Sequence, residues 1–221
     1  MLPIIDAGNV YNAIDFRYGV YAPENELPRM VRLPKLICPS ASGIREYTTC
    51  YAGFHSSIET PIDETNVGVF IQNRNLDDSD ISDGLSHTLF LGEKLSPFDE
   101  DLGWMSGTRY SLRNAGHAIN AERVRVHGPF DDLDEVSDEY VGGIASDHPG
   151  GAYLLFGGGA IEFRSPSMDM IVFQQMASRN DGAIPKEWQS EESPADDMGR
   201  DSGAEKGSTG ETAESDDDAA N

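Results

Sequence analysis

The stretch HPGGAYLLFGGGAIEF, residues 148–163, decides the fold of this 221-residue chain. Two apolar runs, 152–156 and 160–163, flank three consecutive glycines, and a His-Pro-Gly-Gly loop precedes them. Glycine adopts positive φ without the steric penalty that other residues meet, and tight hairpin turns use such angles. The stretch therefore predicts two antiparallel strands joined by a turn in which every position is free to adopt positive φ.

Other segments predict a β-rich body of the α+β class, with short helices near both ends. Apolar residues at helical spacing indicate one helix within residues 2–16 and another over residues 167–178. Ser82 or Asp83 is suited to cap a single helical turn. β-branched, aromatic and alternating apolar residues indicate strands at 33–38, 46–54, 67–72, 89–93 and 103–108.

The last part of the chain, residues 190–221, has a different composition. It contains eleven acidic residues against Arg200 and Lys206, and Met198 is its one large apolar residue. Such a segment has too little to bury to offset the roughly 1–2 kcal/mol per residue that backbone ordering costs. We therefore expect one globular domain over residues 1–189 and a disordered acidic tail over residues 190–221.

The formal net charge is −23, and the body without the tail keeps about −14. Affinity for nucleic acid comes mostly from Lys and Arg that neutralise phosphates, so this charge argues against a nucleic-acid partner. It argues equally against adsorption to an anionic membrane face. The longest apolar runs are strand-sized, whereas a membrane-spanning helix needs about 20 apolar residues. We expect no membrane insertion by this chain as given.

Cys38 and Cys50 are the two cysteines, and eleven residues separate them. Neither four zinc ligands at a recognisable spacing nor a Cys-x-x-Cys redox motif accompanies them. In an oxidising compartment a disulfide between them would close a short loop and stabilise the fold by about 2–3 kcal/mol. In a reducing compartment they would remain two thiols, and the sequence leaves both states open.

Six motifs, in this order along the chain, resemble one family, the DUF1559 proteins abundant in planctomycete bacteria. Each motif is weak alone, but their common order is specific, and the resemblance covers most of residues 2–185. The motifs are LPII with NVYNAIDF at 2–16, ICPS at 37–40, YAG at 51–53, GVF at 68–70, ISDGLSHTLFLGE at 81–93, and the hairpin at 148–163 with the helix after it.

The resemblance implies a β-rich, pseudopilin-like globular head with an antiparallel sheet and short N- and C-terminal helices. It implies a non-enzymatic, extracytoplasmic structural or interaction protein, similar to the globular part of type II secretion or type IV pilin-like pseudopilins. Its partners would be proteins, such as pseudopilins or components of the secretion apparatus, and its oligomeric state is open. The alternative is a cell-surface module that binds solutes or glycans. A pocket lined by Trp104, Tyr110 and His148 would favour that alternative.

The chain departs from the family pattern at two places. Family members typically carry a prepilin-type segment, which is cleaved and methylated and forms a long hydrophobic helix, before the Leu-Pro motif. This chain starts at that motif, so membrane anchoring is expected only if such a helix precedes it. The family signature is His, nine residues, then Asp-Gly, whereas Gly158 stands at the aspartate position here, which predicts a looser turn. The family-motif residues are Asp83, Gly84, Ser86, Glu93, His148, Pro149, Gly150, Gly151, Gly158 and Gly159.

His148 follows Asp147, a pair that invites a catalytic or metal-binding interpretation. A metal site needs three or four ligands, and nucleophilic catalysis needs an activated nucleophile near a base. No hydrolase, zinc-protease or phosphate-loop motif is present. We therefore expect the His148 side chain to hydrogen-bond the loop backbone, and we assign no catalytic, cofactor or metal residue.

Two further groups have a functional and a structural interpretation. Oxygen-rich loops bind Ca²⁺, and some pseudopilins hold a loop with calcium, but acidic loops also cap and close turns. Aromatic side chains can stack on sugars, but in a β-rich body they are usually core. The calcium candidates are Asp77, Asp78, Asp80 and Asp83, and the aromatic candidates are Trp104, Tyr110, Tyr140 and Trp188.

Overall fold

A computed structural model describes residues 1–42, 47–95, 102–121, 123 and 139–182. The expected tail at 190–221 and its boundary with the domain lie outside these residues. In chain order the described elements are α1 (Gly8–Ala13), a 3₁₀ turn (Pro23–Asn25), α2 (Glu26–Arg29), a 3₁₀ turn (Pro34–Leu36), β1 (Tyr51–Ser56), a 3₁₀ turn (Asp78–Asp80), β2 (Leu89–Glu93), β3 (Leu112–Asn114), β4 (Ala152–Phe156), β5 (Ile161–Arg164) and α3 (Met170–Ala177).

The described strands form a five-stranded sheet in the order β3-β1-β2-β4-β5. The pairs β1/β2, β2/β4 and β4/β5 are antiparallel. The pair β1/β3 is parallel, so the sheet is mixed where an antiparallel one was expected. A mixed sheet with short helices confirms the α+β class.

The β4–β5 hairpin forms as the sequence predicts, but its three glycines have different roles. Only Gly159 adopts positive φ, at +91°. Gly157 is required by close packing, because a Cβ there would lie 2.4 Å from a ring carbon of Phe90. The turn therefore uses the freedom of its glycines at one position only.

The main core lies between the sheet and α3. The Asp169 carboxylate caps this helix and accepts the N–H groups of Ile171 and Val172 at 2.8 and 3.2 Å. The rings of Phe54 and Phe173 meet edge to face, with centroids 6.0 Å apart. The side chains of this core are Phe54, Leu89, Ala115, Ile119, Ile144, Ala152, Leu154, Phe156, Val172, Phe173, Met176 and Ala177.

A second, smaller cluster is built by the N-terminal segment. Its buried members are Leu2, Ala7, Val10 and Leu33. The helix expected within residues 2–16 is shorter, spanning Gly8–Ala13, because Asp6 adopts a φ of +65°, which a right-handed helix cannot include. The N-terminal residues instead form turns that bury Leu2.

Three segments expected as strands are not strands. Residues 33–38 contain a 3₁₀ turn, because Pro34 at its first position has φ fixed near the helical value. Residues 67–72 bend over β1, and the N–H of Gly68 donates to the His55 carbonyl at 2.9 Å. Residues 103–108 form turns that begin at Gly103, where φ is +91°.

Among the described residues, no helix combines the length and apolar character that crossing a membrane requires.

Candidate functional site

Three side chains from distant parts of the sequence meet at one point beside the sheet. Nε2 of His148 lies 3.2 Å from Oε1 of Glu93 and 3.4 Å from Sγ of Cys38. One sulfur, nitrogen or oxygen atom from each residue lies within 4.8 Å of the other two. We call these three residues the CEH cluster. Among the described residues, it is the group of His, Cys, Asp or Glu side chains in which at least three donor atoms lie close enough together to hold a metal ion.

Glu93 enters the cluster from the end of β2, and its side chain is only 4% exposed. Its second oxygen, Oε2, accepts the N–H of Tyr153 at 2.8 Å. The Glu93 main-chain carbonyl accepts the N–H of Ala145 at 3.0 Å. The carboxylate is therefore held in a fixed direction, which leaves Oε1 facing His148.

His148 is held by the loop before β4. The main-chain N–H of His148 donates to Ser146 Oγ at 3.1 Å. The carboxylate of the neighbouring Asp147 accepts the main-chain N–H of Ser42 at 2.8 Å. The imidazole meets the rings of Tyr153 and Phe163 edge on. The expected contact with loop backbone is therefore wrong for the side chain, which contacts a carboxylate and a thiol instead.

Cys38 and Cys50 are both buried free thiols in the structure. No bond joins the two sulfurs, and the N–H of Cys50 donates to the carbonyl of Leu36, two residues before Cys38, at 2.8 Å. Burial raises the pKa of the Cys38 thiol, and the nearby negative charge and hydrogen bond of Glu93 raise it further. Burial also raises the pKa of Cys50. Both cysteines are therefore protonated, weakly nucleophilic thiols at neutral pH.

The CEH cluster does not have the geometry of a Cys-His-acid catalytic triad. In a triad the nucleophile and the carboxylate contact opposite nitrogens of the imidazole. Here Sγ of Cys38 and Oε1 of Glu93 both contact Nε2 of His148. The three donor atoms face a common centre, which is the arrangement of metal ligands.

An open apolar groove lies on the face of the sheet opposite α3, with a volume of about 560 Å³. Side chains alternate between the two faces along β4, so Leu154 enters the core while Tyr153 and Leu155 face the groove. We call this the sheet groove. Its floor includes Tyr51, Leu91, Leu112, Tyr153, Leu155 and Ile161, and its wall includes Met1, Ile5, Leu36 and Trp104.

The sheet groove contains only one of the three residues expected around a ligand pocket. Trp104 lines it, and its indole N–H donates to the Val31 carbonyl at 2.9 Å. Tyr110 is buried instead. His148 belongs to the CEH cluster and contacts the ring of Tyr153, which lines the groove. Of the other two aromatic candidates, Tyr140 packs against His117, and Trp188 lies outside the described residues.

A family model matches residues 1–170, and its description is "Protein of unknown function (DUF1559)". The chain belongs to this family. No curated protein and no solved structure matches it. The DUF1559 match covers every residue of the CEH cluster and the sheet groove.

The structure brings two DUF1559 motifs together at the β4–β5 turn. The N–H of Gly157 donates to the Thr88 carbonyl at 3.0 Å, and the N–H of Gly158 donates to Leu85 at 2.8 Å. Gly84 supports the same contact with a φ of +87°. His87, which stands where the family usually has asparagine, has Nδ1 3.1 Å from the Asp83 carbonyl oxygen.

The remaining DUF1559 motif residues shape the loop before β4. Gly150 adopts a φ of +83°. Gly151 lies against β5, where a Cβ would sit 2.2 Å from the Arg164 carbonyl oxygen. Pro149 is exposed between this glycine pair and His148. These residues therefore direct the loop that places His148 in the CEH cluster.

Of the four calcium candidates, Asp77 and Asp80 make local turn contacts, whereas Asp83 contacts a segment distant in sequence. Asp77 caps the 3₁₀ turn, where its carboxylate accepts the Ser79 N–H at 2.8 Å. The Asp80 carboxylate accepts the Asp77 N–H at 3.0 Å. The Asp83 carboxylate accepts the N–H groups of Asp181 and Gly182. The helical turn expected after Ser82 or Asp83 does not form; the residues there form turns, and the 3₁₀ turn lies earlier, at Asp78–Asp80 with Asp77 as its cap.

The sequence named every member of the CEH cluster separately and did not connect them. Cys38 appeared as a disulfide candidate, and Glu93 and His148 appeared in separate family motifs. The available signal was that three metal-type donors, Cys38, Glu93 and His148, each stand in a different motif, in ICPS, LGE and HPGG. The spacings, 55 residues each, are too long for a recognised metal-binding pattern.

Proposed function

We propose that this DUF1559 protein is a non-enzymatic, extracytoplasmic interaction protein that uses the sheet groove to bind an apolar helix of a protein partner. In this respect it would resemble the globular part of a pseudopilin. The observation that carries the proposal is the open apolar face of the sheet. Large exposed apolar patches on soluble domains mark interaction sites.

The two faces of the sheet are covered differently. α3 packs on one face with Val172, Phe173 and Met176. On the other face, Ile161 remains 68% exposed, and Tyr153 and Phe163 are exposed beside it. A sheet buries an apolar face most effectively against a helix or a second sheet.

A helix is the partner that best fits the sheet groove. The groove lies over the face of the sheet and not along the outer edge of β3 or β5, so a partner in it would bind through its own side chains. The opposite face already accepts a helix in this way. The high negative charge of the chain, −23, favours a partner with basic residues flanking its apolar stripe.

Photo-crosslinking at two matched positions tests this proposal. A photoreactive amino acid would replace Ile161 in the groove or Ile171 on α3, which are 68% and 61% exposed on opposite sides of the sheet. In cells that make the protein, we expect adducts with a separate protein from position 161 and not from position 171. Mass spectrometry of the adduct should place the bond in an apolar helix. Equal crosslinking at both positions, or adducts only with a second copy of this chain, would contradict the proposal.

The geometry of the CEH cluster supports the non-enzymatic part of the proposal. A protonated thiol and a carboxylate on the same imidazole nitrogen do not form a nucleophile with its base. The extracytoplasmic location is inferred from the family resemblance. Protease treatment of cells with an intact cytoplasmic membrane and a permeabilised outer envelope tests this location. A protein outside the cytoplasm should be cleaved under these conditions without cell lysis.

A solute- or glycan-binding module is the second candidate, and the aromatic lining of the sheet groove favours it. Tyr51, Trp104 and Tyr153 line a space of about 560 Å³, within the usual size range of ligand sites. Titration with a panel of plant and bacterial oligosaccharides, followed by tryptophan fluorescence, tests this candidate. A saturable change that Trp104→Phe removes would support glycan binding, and no change with any sugar would count against it.

A further inference from the structure

We propose that Cys38, Glu93 and His148 together bind one divalent transition-metal ion of the Zn²⁺ class. Nothing in the family description assigns a metal to this protein. The proposal rests on the convergence of the three donor atoms, on their separations and on the chemistry of the donor set.

The separations fit a tetrahedral ion. Zn²⁺ bonds of about 2.3 Å to sulfur and about 2.0–2.2 Å to nitrogen or oxygen place S and N about 3.6 Å apart, and N and O about 3.4 Å apart. The observed Sγ to Nε2 distance is 3.4 Å, and the Nε2 to Oε1 distance is 3.2 Å. These two separations therefore differ from those of a tetrahedral ion by a few tenths of an ångström, and the third, between sulfur and carboxylate oxygen, is within 4.8 Å.

In the metal-free protein the Glu93 carboxylate can accept hydrogen bonds from the Cys38 thiol and from Nε2 of His148, and a metal ion would replace both. Nε2 of His148 carries at most one proton and faces both Sγ of Cys38 and Oε1 of Glu93. A metal ion at the common centre would satisfy all three atoms simultaneously. Thiolate, imidazole and carboxylate together suit Zn²⁺, whereas Ca²⁺ and Mg²⁺ prefer oxygen ligands.

Binding balances in both protons and charge. With Glu93 ionised and His148 neutral, three bonds form, from the metal to Sγ, Nε2 and Oε1. The S–H bond of Cys38 breaks, and its proton leaves to water. The thiolate and the carboxylate then neutralise the two positive charges of the ion, so the charge of the site changes from −1 to zero and the loaded site is neutral.

Surrounding contacts orient the ligands. The Tyr153 N–H fixes the Glu93 carboxylate through Oε2, and edge contacts with Tyr153 and Phe163 fix the plane of the His148 ring. Such second contacts are a regular feature of metal sites. His148 is 23% exposed, which gives the ion a route in from solvent, and three protein ligands leave a fourth position for water.

The two cysteines provide a matched test. Metal-free full-length protein, kept reduced with a phosphine, would be titrated with Co²⁺ and then with Zn²⁺. We expect a thiolate-to-Co²⁺ absorption band together with the visible bands of tetrahedral cobalt, and we expect Zn²⁺ to displace both. Cys38→Ser should abolish the thiolate band. Cys50→Ser should retain it, because Cys50 is not a member of the CEH cluster.

Two measurements other than the thiolate absorption band complete the test. His148→Gln should weaken Co²⁺ binding more than about tenfold, the size of effect seen even for residues that only orient ligands. Thermal melting of each metal-free variant, followed by circular dichroism, shows whether that variant folds. Zn²⁺ should raise the melting temperature of the wild type and of Cys50→Ser, but not that of Cys38→Ser.

Three results would overturn the proposal. One is a reduced wild-type protein that shows no thiolate band with Co²⁺. Another is a band that survives Cys38→Ser, and the third is a band that Cys50→Ser removes as completely as Cys38→Ser does. Tight binding that a folded His148→Gln variant retains would likewise exclude this ligand set.

Discussion

Nε2 of His148 lies 3.2 Å from Oε1 of Glu93, and this contact ties the loop before β4 to the end of β2. The Glu93 side chain is only 4% exposed, so few waters can replace the imidazole if it is removed. We expect His148→Ala to lower the free energy of unfolding of the metal-free protein by about 1–3 kcal/mol, the cost of leaving a buried polar group short of a partner. Urea denaturation measures this change.

His117 offers a matched control for that experiment. Its Nε2 lies 3.0 Å from Oε2 of Glu59, which is more exposed than Glu93. The Glu59 carboxylate also accepts the Asn114 side-chain N–H and the Val141 N–H, so it keeps partners when His117 is lost. His117→Ala should therefore cost less than about 1 kcal/mol. Equal losses for the two histidines would refute the special role assigned to the buried pair.

The β4–β5 turn should tolerate restoration of the aspartate that the family carries. A Cβ at Gly158 would meet the hydroxyl of Ser86 at 3.1 Å, and Ser86 is exposed, so this hydroxyl can rotate away or hydrogen-bond the new carboxylate. Gly158 does not use positive φ. We expect Gly158→Asp to raise the free energy of unfolding by about 0.5–1 kcal/mol, through a less flexible unfolded chain and the added hydrogen bond.

The next residue of the same turn should respond in the opposite direction. Gly159 has a φ of +91°, with open space around it, so strain alone determines the effect of a side chain there. Gly159→Ala should lower the free energy of unfolding by about 1–2 kcal/mol. Chemical denaturation of both variants gives the comparison. Destabilisation by Gly158→Asp would show that Ser86 cannot move.

The two faces of α3 should differ sharply in their sensitivity to truncation. Phe173 is 1% exposed and packs edge to face on Phe54, whereas Ile171 is 61% exposed. Phe173→Ala should cost about 3–5 kcal/mol, because it leaves a cavity in the core. Ile171→Ala should stay within about 0.5 kcal/mol of the wild type. The melting temperatures of both variants measure this, and similar losses would contradict the packing of α3 on the sheet.

The parts of the fold that the sequence could predict are those with strong local signals. β4 and α3 lie within the predicted segments, and β5 ends one residue beyond its predicted run, because alternation, glycines and helical spacing act over a few residues. β2 coincides with the predicted 89–93. β3 was missed because Leu112–Asn114 is only three residues long and pairs parallel with β1, a partner distant in sequence. Short strands held by distant partners leave little local pattern.

The CEH cluster could not be predicted from the sequence, although each member stood in a recognised motif. Its geometry depends on the β2/β4 pairing, which brings residues 89–92 beside residues 154–156 and so brings Glu93 near the loop that carries His148. It depends equally on the turn that follows Pro34–Leu36 and places Cys38. These are relations between elements, and motif order alone does not contain their distances. The sheet groove is similar, because the sequence shows apolar strands but not which face remains uncovered.

His55 should make the stability of the fold depend on pH. It is fully buried, and its Nδ1 lies 2.9 Å from Asn66 Oδ1. That oxygen also accepts the Asp63 N–H at 2.7 Å, so it is an acceptor and Nδ1 of His55 carries the proton. The other nitrogen, Nε2, has no hydrogen-bond partner among the described residues. A second proton would therefore be buried without an acceptor, and burial lowers the pKa of His55 below its usual 6.5.

The sign of the effect follows from proton binding in the two states. Below about pH 6.5 the unfolded chain binds a proton at His55 and the folded protein does not, so the free energy of unfolding should fall as the pH drops through this range. Above pH 6.5 the contribution is constant. Because other histidines also titrate, the comparison needs His55→Gln, whose stability relative to the wild type should improve between pH 7.5 and pH 5.5. Urea denaturation at both pH values measures the change. An NMR titration of the wild type tests the same point directly, and a His55 ring that protonates near pH 6.5 in the folded protein would refute it.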